Sequence, residues 1–397
     1  MTKRARTPVI EVFLAFLRLG LTSFGGPVAH LGYFRHEFVE RRKWLDGHAY
    51  GDLVALCQFL PGPASSQVGM ALGLSRAGIP GAGAAWLGFT LPSAVLLVLF
   101  GRGFSSLGGF PGAGWLHGLK VAAVAVVAQA LWGMGKNFTP DLPRAALALC
   151  AALLTVIFPS ASGQVAVILA GAGIGWKFLE QPKALPHSPL RTSTGRSAGG
   201  MLLAVFFLLL VIAPVVAAGS QTYAVQLFDS FYRAGSLVFG GGHVVLPLLQ
   251  AEVIPKGWVS NDQFLAGYGA AQAVPGPLFT FAAYLGSVSS GSPSGWTGGA
   301  LALIAIFLPS FLLIAGVLPF WERLRRYHAL QRAMLGINAA VVGLLLAAFY
   351  HPVWTSAILG IPDFVLAAAA FLLLQFGRCP SWLVVILAAL AAGFWIG

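Results

Sequence analysis

The chain contains one pattern twice, in positions about 215 residues apart. An arginine inside an apolar run is followed by a glycine cluster, first as Phe16-Leu17-Arg18-Leu19-Gly20 with Phe24-Gly25-Gly26, then as Phe231-Tyr232-Arg233-Ala234-Gly235 with Phe239-Gly240-Gly241. Glu37, Trp44, Gln58 and Pro61-Gly62-Pro63 recur in order as Glu252, Trp258, Gln272 and Pro275-Gly276-Pro277. The spacing is nearly constant, so the chain is an internal duplication.

The composition of the chain indicates whether it folds in water or in a membrane. Of 397 residues, 57% are apolar and 9% are charged, which leaves too little polar surface for a soluble protein. The sequence therefore predicts an all-α polytopic membrane protein. Apolar stretches of roughly 20 residues, the length that crosses a bilayer, lie at about 80–101, 114–135, 142–158, 161–179, 200–219, 296–320, 332–350, 357–376 and 380–397.

Four further apolar segments are interrupted by glycine or proline, at about 10–27, 48–74, 223–242 and 261–287. They bring the expected number of transmembrane segments to about thirteen. These four are also the duplicated segments, and interrupted segments at corresponding positions of two halves are the best sequence pointer to a transporter's binding site. Arginine, contiguous glycines and Pro-Gly-Pro all cost stability at membrane depth, so their presence there indicates a function.

The net charge of +12 is concentrated in loops. Three basic clusters, Lys3-Arg4-Arg6, Lys183-Arg191-Arg196 and Arg323-Arg325-Arg326-Arg332, are expected in the cytoplasm by the positive-inside rule. Thirteen crossings satisfy all three and give the second copy inverted topology, because an odd number of crossings separates the copies. The exception is the group Arg35, Arg41, Arg42 and Lys43, which this count puts outside, although Glu37, Glu40 and an interfacial helix would weaken the objection.

The predicted organisation has three parts. Residues 1–180 form the first repeat, residues 181–220 a basic cytoplasmic linker with a connecting transmembrane helix, and residues 221–397 the second repeat. Cys57, Cys150 and Cys379 have no CxxC spacing, so we interpret them as small core residues. Neither a metal site nor a cofactor is predicted, and binding of nucleic acid is not expected.

Arg18 and Arg233 lie near the middle of apolar runs, where an arginine costs about 2.5–3.5 kcal/mol on insertion scales unless it is compensated. A structural explanation is an ion pair, with Asp229 four residues before Arg233 and Glu11 seven before Arg18, or snorkelling to the interface. The functional explanation is that each guanidinium binds an oxyanion through its forked donors.

The glycine clusters and the Pro-Gly-Pro motifs both interrupt helices and leave backbone N–H groups free, and free amides at a helix end bind anions. Most of the 50 glycines are explained by close helix packing, but contiguous glycines beside proline are not. We predict an electropositive site for a small dianion where these helix ends converge around the two arginines. Its candidate residues are Arg18, Arg233, Gly25, Gly26, Gly240, Gly241, Gly242, Pro61, Gly62, Pro63, Pro275, Gly276 and Pro277.

At these residues the chain resembles the chromate ion transporter family in its long two-domain form. The family's Phe-Gly-Gly-Pro and Phe-Gly-Gly-Gly motifs, each followed by Pro-Gly-Pro, match Phe24-Gly25-Gly26-Pro27 and Phe239-Gly240-Gly241-Gly242 with their downstream motifs. The resemblance implies a secondary transporter in the bacterial inner membrane that exports chromate, is driven by membrane potential or a proton gradient, and confers chromate resistance. Sulfate is the expected competitor, and the remaining partners are the bilayer and, as an open alternative, a second copy in a homodimer.

If protons are coupled to transport, the candidates are His243 beside the second glycine cluster, the repeat-equivalent Glu37 and Glu252, and Asp52. Each has a structural alternative, a satisfied core imidazole for His243 and ion pairs with nearby Arg or Lys for the glutamates. Lys120 corresponds to Asn338 in the second copy, which would make the site asymmetric unless Lys120 snorkels to an interface.

Two other functional classes differ in the residues that they require. A membrane-embedded enzyme would need a cluster of catalytic groups or metal ligands, and no HExxH is present, so the chain is not expected to be an enzyme. A sulfate or other small-oxyanion permease, or an anion channel on the same scaffold, remains open, because the residues define an anion site and not its direction or ligand.

Overall fold

A computed structural model describes residues 8–106, 114–180, 195–239, 241–324 and 326–396. Throughout this described part the chain is helical and contains no β-strand. Five helices are long and apolar enough to cross a membrane, and shorter apolar helices accompany them. Gly240 of the predicted site and the basic residues Lys3, Arg4, Arg6, Lys183, Arg191 and Arg325 lie outside the described residues.

The first copy and the connecting helix contain eight α-helices. They are α1 Pro8–Thr22, α2 Gly26–Phe34, α3 Gly47–Phe59, α4 Ala64–Ser106, α5 Gly114–Phe138, α6 Leu142–Ile157, α7 Ala161–Phe178 and α8 Arg196–Gly219. A π-helical stretch, Arg35–Arg41, continues α2. The side chains of Asp46, Asp141 and Ser160 cap the first turns of α3, α6 and α7, which explains where these helices begin.

The second copy contains ten α-helices. They are α9 Tyr223–Leu237, α10 Val245–Val253, α11 Asn261–Ala273, α12 Phe281–Val288, α13 Gly295–Val317, α14 Trp321–Leu324, α15 His328–Ala348, α16 Thr355–Ala357, α17 Ile361–Gln375 and α18 Ser381–Ile396. Short 3₁₀ turns, Gly242–Val244 and Leu278–Thr280, lead into α10 and α12. Each of the nine uninterrupted apolar stretches in the sequence overlaps one of these helices.

Both Arg-and-glycine segments fold back on themselves as antiparallel hairpins. In the first copy, Phe16 of α1 stacks on Phe38 with ring centroids 4.8 Å apart, and Glu11, earlier in α1, binds Arg42, later in the returning arm. In the second copy, Arg233 of α9 binds Glu252 of α10 at 2.7 Å, and Ser230 binds Lys256. We name these units glycine hairpin 1 (residues 8–42) and glycine hairpin 2 (residues 223–256).

The Pro-Gly-Pro segments form hairpins as well. Arg76, at the end of the second arm in the first copy, lies over the ring of Trp44, which precedes the first arm. At the corresponding place in the second copy, the N–H of Ser290 donates to the carbonyl oxygen of Trp258 at 3.0 Å. We name these units proline hairpin 1 (residues 44–76) and proline hairpin 2 (residues 258–290).

The second arm of proline hairpin 1 and the long helix that follows it both belong to α4. Ala77 and Gly78 have non-helical backbone angles, so α4 is two helices that meet at a sharp reversal. Gly73 and Gly81 face each other across this reversal in backbone contact, and Gly286 and Gly298 do the same between α12 and α13. Position by position, α4 therefore corresponds to α12 and α13 together.

The long helices of the two copies are exchanged in their packing. Helices α6 and α7 of the first copy pack on α15 of the second, while α17 and α18 of the second copy pack on α5 of the first. Gly171 of α7 and Gly336 of α15 touch through their backbones, and Gly118 of α5 touches the backbone of Ala388 in α18. A side chain at any of these glycines would separate the helices.

Three predictions about single residues can be compared with the structure. The Asp229–Arg233 ion pair is present, with Nη2 and Oδ2 2.8 Å apart, whereas Glu11 pairs with Arg42 and Arg76 and not with Arg18. The interpretation of all three cysteines as core residues is wrong for Cys150, which is exposed on α6, while Cys57 is buried and Cys379 is partly buried. The segment after Pro27, expected as a loop with an interfacial helix, is helical through residue 41.

Candidate functional site

The tips of the four hairpins meet, and each proline hairpin binds the glycine hairpin of the other copy. The N–H of Gly62 donates to the carbonyl oxygen of Val238 at 2.6 Å, and the N–H of Gly276 donates to that of Ser23 at 2.9 Å. Ser23 and Val238 each directly precede a Phe-Gly-Gly motif, so the two hydrogen bonds are equivalent. Reciprocal contacts of this kind are those of a pseudo-two-fold relation between two units.

Glycine is required at these tips by backbone conformation. Gly25, Gly62, Gly241 and Gly276 have φ angles of 98°, 121°, 138° and 101°. A side chain is strained in this region of φ, because Cβ collides with the backbone. The repeated glycines therefore allow the chain to reverse at the centre of the molecule.

A cavity of about 530 Å³ lies beside the tips. Its walls come from α2, the end of α3, the start of α4 and the second half of α5, and from Gly241, Gly242, His243 and Asn338 of the second copy. No Arg, Lys, Asp or Glu lines it among the described residues. The electrostatic character of this cavity is therefore set by dipoles and not by net charges.

Helix N-termini supply the first set of dipoles. Helix α2 begins at Gly26 after the cap residue Gly25, and the 3₁₀ turn that leads into α10 begins at Gly242 after Gly241; neither has a side-chain cap. Ala64, the first residue of α4, lies on the same cavity. A helix N-terminus carries about half a positive charge and has free N–H groups, so three of them around one cavity favour an anion.

Carboxamide side chains supply the second set. Gln58, Gln129, Asn137 and Asn338 all line the cavity. The Gln129 amide donates to the carbonyl oxygen of Leu374 at 3.1 Å, which holds it in place, and Gln58 and Asn137 are exposed. A primary amide offers two N–H donors without a charge, which suits an oxyanion that must later be released.

His243 is the candidate for proton coupling that lies on the cavity wall. Its Nδ1 is 2.9 Å from the Tyr268 hydroxyl, whose donor or acceptor role depends on the imidazole tautomer. This hydrogen bond orients the ring, and it leaves the second ring nitrogen available for another partner.

The two arginines do not come together at the cavity. Arg233 is bound by Asp229 and Glu252 within glycine hairpin 2, and neither its guanidinium nor that of Arg18 lines the cavity. Arg18 is exposed on α1, and among the described residues no carboxylate forms an ion pair with it. The expected arrangement of helix ends around a pair of arginines thus differs from the structure, since both side chains lie on the hairpin arms and not at the tips.

The remaining acidic candidates are also away from the cavity lining. Glu37 accepts hydrogen bonds from Arg41 and from Arg42, the latter at 2.6 Å, and Glu252 binds Arg233 and Lys256. The expected ion pairs of these glutamates are therefore present. Asp52 is partly buried on α3.

Sequence reasoning found the backbone of this site better than its side chains. The motif residues that line the cavities at the tips are Gly25, Gly26, Gly62, Gly241, Gly242 and Gly276. Their flanking prolines Pro61, Pro63, Pro275 and Pro277 set the tip conformation. Gln129 and Asn137 were missed, although a carboxamide within an apolar helix was the available signal.

Comparison with known proteins identifies relatives of both copies. The family model described as chromate transporter matches residues 10–176 and 225–394, one match for each copy. A chromate transport protein of Pseudomonas aeruginosa is 29% identical over 348 residues, 84% of this chain and 79% of its own length. A chromate transport protein of Cupriavidus metallidurans is 28% identical over 391 residues, 96% of this chain and 91% of its own. A probable chromate transport protein of Synechococcus elongatus is 27% identical over 389 residues, 96% of this chain and 94% of its own.

No solved structure matches the chain. The family match covers most of the chain, so the protein belongs to the chromate transporter family. It is a multi-pass inner-membrane protein and an anion transporter, and the family points away from enzymatic activity.

Proposed function

We propose that this member of the chromate transporter family is a secondary transporter that exports chromate from the cytoplasm, and that the cavity beside the hairpin tips is its binding site. The observation that carries the proposal is the convergence of three helix N-termini, two of them without a side-chain cap, on a cavity that no acidic side chain lines among the described residues. The names of its relatives, which are called chromate transport proteins, support the choice of substrate.

Backbone dipoles suit a substrate that must be both bound and released. A tetrahedral dianion in the cavity would accept hydrogen bonds from N–H groups at Gly25 and Gly242 and from the amides of Gln58 and Asn338. A site built on a fixed arginine pair would hold a dianion more strongly and release it more slowly. Sulfate has the same shape and charge, so we expect it to compete.

Because the interrupted segments are hairpins, we propose a membrane topology that differs from the thirteen crossings expected from the sequence. The two arms of each hairpin are antiparallel and contact each other from tip to base, as Glu11 contacts Arg42 and the N–H of Ser290 contacts the carbonyl oxygen of Trp258, so both ends of each hairpin lie on one face. We therefore propose nine crossing helices and four re-entrant hairpins in place of thirteen crossings. The crossing helices are the second part of α4, then α5, α6, α7, α8, α13, α15, α17 and α18.

This topology removes the charge exception that the thirteen-crossing count left. Arg35, Arg41, Arg42 and Lys43 now lie on the same face as the amino terminus, and Glu11–Arg42 and Glu11–Arg76 ion pairs join the bases of two hairpins there. The positive-inside rule puts this face in the cytoplasm, together with the 181–198 linker and Arg323–Arg332. The single crossing of α8 then gives the repeats, residues 1–180 and 221–397, opposite orientations.

The same orientation supports export. The cavity extends along α5 from the tips to Asn137 and Phe138, at the end of α5 that this topology puts in the cytoplasm. Chromate would load from that side. Because it carries two charges, a membrane potential of 100 mV, negative inside, favours its exit by about 2.3 kcal/mol per charge, and no ATP is needed.

Proton coupling, if present, would act at His243. Its ring lies on the cavity wall, whereas Glu37 and Glu252 are each held by two cations. A protonated His243 would add a positive charge beside the anion, and its deprotonation would favour release.

The test is uptake of radiolabelled chromate into inverted membrane vesicles, energised and then uncoupled, with sulfate as competitor. Gln58→Glu adds a negative charge to the cavity wall and should lower uptake by more than about tenfold, because like charges at about 4 Å repel by several kcal/mol at protein surfaces. Gln221→Glu is the matched control, since Gln221 is exposed between α8 and α9 and does not line the cavity.

The outcomes separate the alternatives. Energised, saturable uptake that Gln58→Glu abolishes and Gln221→Glu preserves supports export through this cavity. Uptake of sulfate without chromate would identify an oxyanion permease of different specificity, and flux that follows only the gradient without saturation would identify a channel. Equal uptake by both variants would exclude this cavity as the site.

A further inference from the structure

Two cavities of very different size flank the hairpin tips. The first, of about 530 Å³, is the binding cavity described above, and the second has about 20 Å³, the volume of roughly one water. Gly25, Pro27 and His243 line both. The tips therefore form the wall between a wide space and a nearly closed one.

The two cavities are lined by the same positions of the two copies. The wide cavity has Cys57, Gln58, Leu60, Gly62 and Ala64 along one side. The narrow cavity has Ala271, Gln272, Val274, Gly276 and Leu278, the residues that correspond one by one through the repeat. On the facing side, Gly241 and Gly242 of the wide cavity correspond to Gly26 and Pro27 of the narrow one.

We propose that the narrow cavity is the closed form of an exit vestibule for the oxyanion, and that transport exchanges the conformations of the two copies. This inference rests on the proposed function and adds to it the alternating exposure of one central site. When the wide cavity closes around Gln58, the narrow one opens around Gln272 on the opposite face. Gln272 then provides to the leaving anion the carboxamide that Gln58 provides to the entering one.

The present asymmetry between equivalent residues supports this exchange. Gln58 is exposed in its cavity, whereas Gln272 has 9% of its surface exposed. The hydrogen bonds that join the tips, from Gly62 to Val238 and from Gly276 to Ser23, are equivalent in the two copies. The exchange therefore keeps the same type of hydrogen bond between the tips. It alters mainly the spacing of the hairpin arms, as expected for inverted repeats that move around a fixed site.

The exit vestibule would differ from the entry cavity in one charge. Asn338 lines the wide cavity, and its counterpart is Lys120, which now binds Asp262 with Nζ and Oδ1 3.0 Å apart. Lys120 would line the opened vestibule and attract an anion toward the outer face. It would do so only after the central site has opened to that face.

Thiol accessibility tests the exchange. Single-cysteine proteins carrying Gln58→Cys or Gln272→Cys are made in a background with Cys57→Ala, Cys150→Ser and Cys379→Ser, and each is treated with a membrane-impermeant maleimide in inverted and in right-side-out vesicles. We expect Gln58→Cys to react from the cytoplasmic face only and Gln272→Cys from the outer face only. Ala123→Cys, at a position that is 0% exposed in α5, is the unreactive control.

A variant that carries both cysteines tests whether opening of one cavity requires closure of the other. A bulky maleimide attached to Gln58→Cys from the cytoplasmic face should hold that cavity open and lower the outer labelling rate of Gln272→Cys by at least about tenfold, because it shifts the population away from the outward state. Undiminished outer labelling after this block would show a continuous pore and overturn the proposal. Failure of Gln272→Cys to react at all, in vesicles that still transport chromate, would overturn it as well.

This readout is independent of the substrate. Labelling is measured without chromate, and chromate uptake is measured in parallel on the same vesicles. Reciprocal labelling without chromate uptake would keep the exchange and remove chromate as the cargo. Chromate uptake without reciprocal labelling would keep the proposed function and remove the exchange.

Discussion

The two glycine hairpins share a motif but are held together differently. At the base of glycine hairpin 1, Glu11 binds Arg42 and Arg76, and Arg18 takes no part. In glycine hairpin 2, the arginine equivalent to Arg18 is itself the link, since Arg233 joins Asp229 on its own arm to Glu252 on the other. A residue that a duplication repeats can therefore keep its position while its partners diverge.

The common element in the two hairpins is a buried glutamate with two cations. Glu37 binds Arg41 and Arg42, and Glu252 binds Arg233 and Lys256. In each copy a tryptophan ring lies under one of the nearby cations, Trp44 under Arg42 and Trp258 under Lys256. The two glutamates differ in where their cations lie in the sequence. Both partners of Glu37 are its neighbours in sequence, whereas Glu252 binds Arg233 from the opposite arm.

The largest difference should appear when each arginine is removed. Arg233→Ala leaves Asp229 and Glu252, whose side chains are each 5% exposed, without their shared partner, and breaking a buried pair in this way costs about 3–5 kcal/mol. Arg18→Ala removes an exposed side chain and should change stability by less than about 0.5 kcal/mol. Thermal unfolding of the detergent-solubilised variants measures both.

The same variants separate a binding role from a structural one. If Arg18→Ala is as stable as the parent but its chromate uptake is lost, the arginine acts on the anion, as the sequence suggested. Equal destabilisation by the two substitutions would contradict the comparison between the hairpins.

The next effect concerns the proline tips, which should respond alike. Gly62→Ala and Gly276→Ala each place a Cβ at positive φ and against the hydroxyl of a serine from the other copy, Ser310 and Ser93 respectively. Each should cost about 1–3 kcal/mol, as expected for a non-glycine residue in a strained backbone region. The unfolding midpoints of these variants are compared with that of Gly83→Ala, a helical position with open space around it. A large effect at only one tip would show that the tips are not equivalent.

A smaller effect is expected from the carboxamides. Gln58→Ala removes a donor from the open cavity and should raise the KM for chromate several-fold, in line with about 1 kcal/mol for a lost hydrogen bond. Gln272→Ala, in the closed cavity, should leave loading nearly unchanged and lower kcat instead, because the opposite vestibule is used for release. The split between KM and kcat in vesicle uptake assays decides this, and a KM effect of equal size in both variants would contradict it.

The smallest effect should come from making the copies alike. Lys120→Asn gives the first copy the residue that the second has at this position. It removes the ion pair with Asp262, whose side chain is 73% exposed. We expect less than about 1 kcal/mol of destabilisation, as for other solvent-exposed pairs. Efflux at low chromate should fall slightly if Lys120 attracts the leaving anion, and an unchanged rate at every chromate concentration would remove it from the pathway.

The repeat made much of the fold predictable. The nine uninterrupted stretches and the interruptions at Gly25 and Pro61 could be located, because apolar length and helix-breaking residues act locally. The reversal of each interrupted segment could not, since a broken crossing and a hairpin have the same hydropathy. A contact between distant residues, such as Glu11 with Arg42, distinguishes a hairpin from a broken crossing.

The site was predictable in its backbone and not in its side chains for a similar reason. A positive φ at Gly62 or Gly276 follows from the local sequence, and so does a free helix N-terminus. Whether Arg233 faces an anion or Asp229 depends on which arm lies beside it. Gln129 and Asn137 reach the cavity only because α5 forms one of its walls beside the tips, which no local pattern records.

The exchanged packing of the long helices has a consequence for how the protein could be divided. Helices α6 and α7 complete the second copy, and α17 and α18 complete the first. A half synthesised separately would lose the close helix contacts that the other half provides, and we expect two co-expressed halves to restore them in one membrane. The two copies are in this sense two interlocked parts of one unit, and we expect a cut in the linker before α8 to divide the polypeptide without separating these parts.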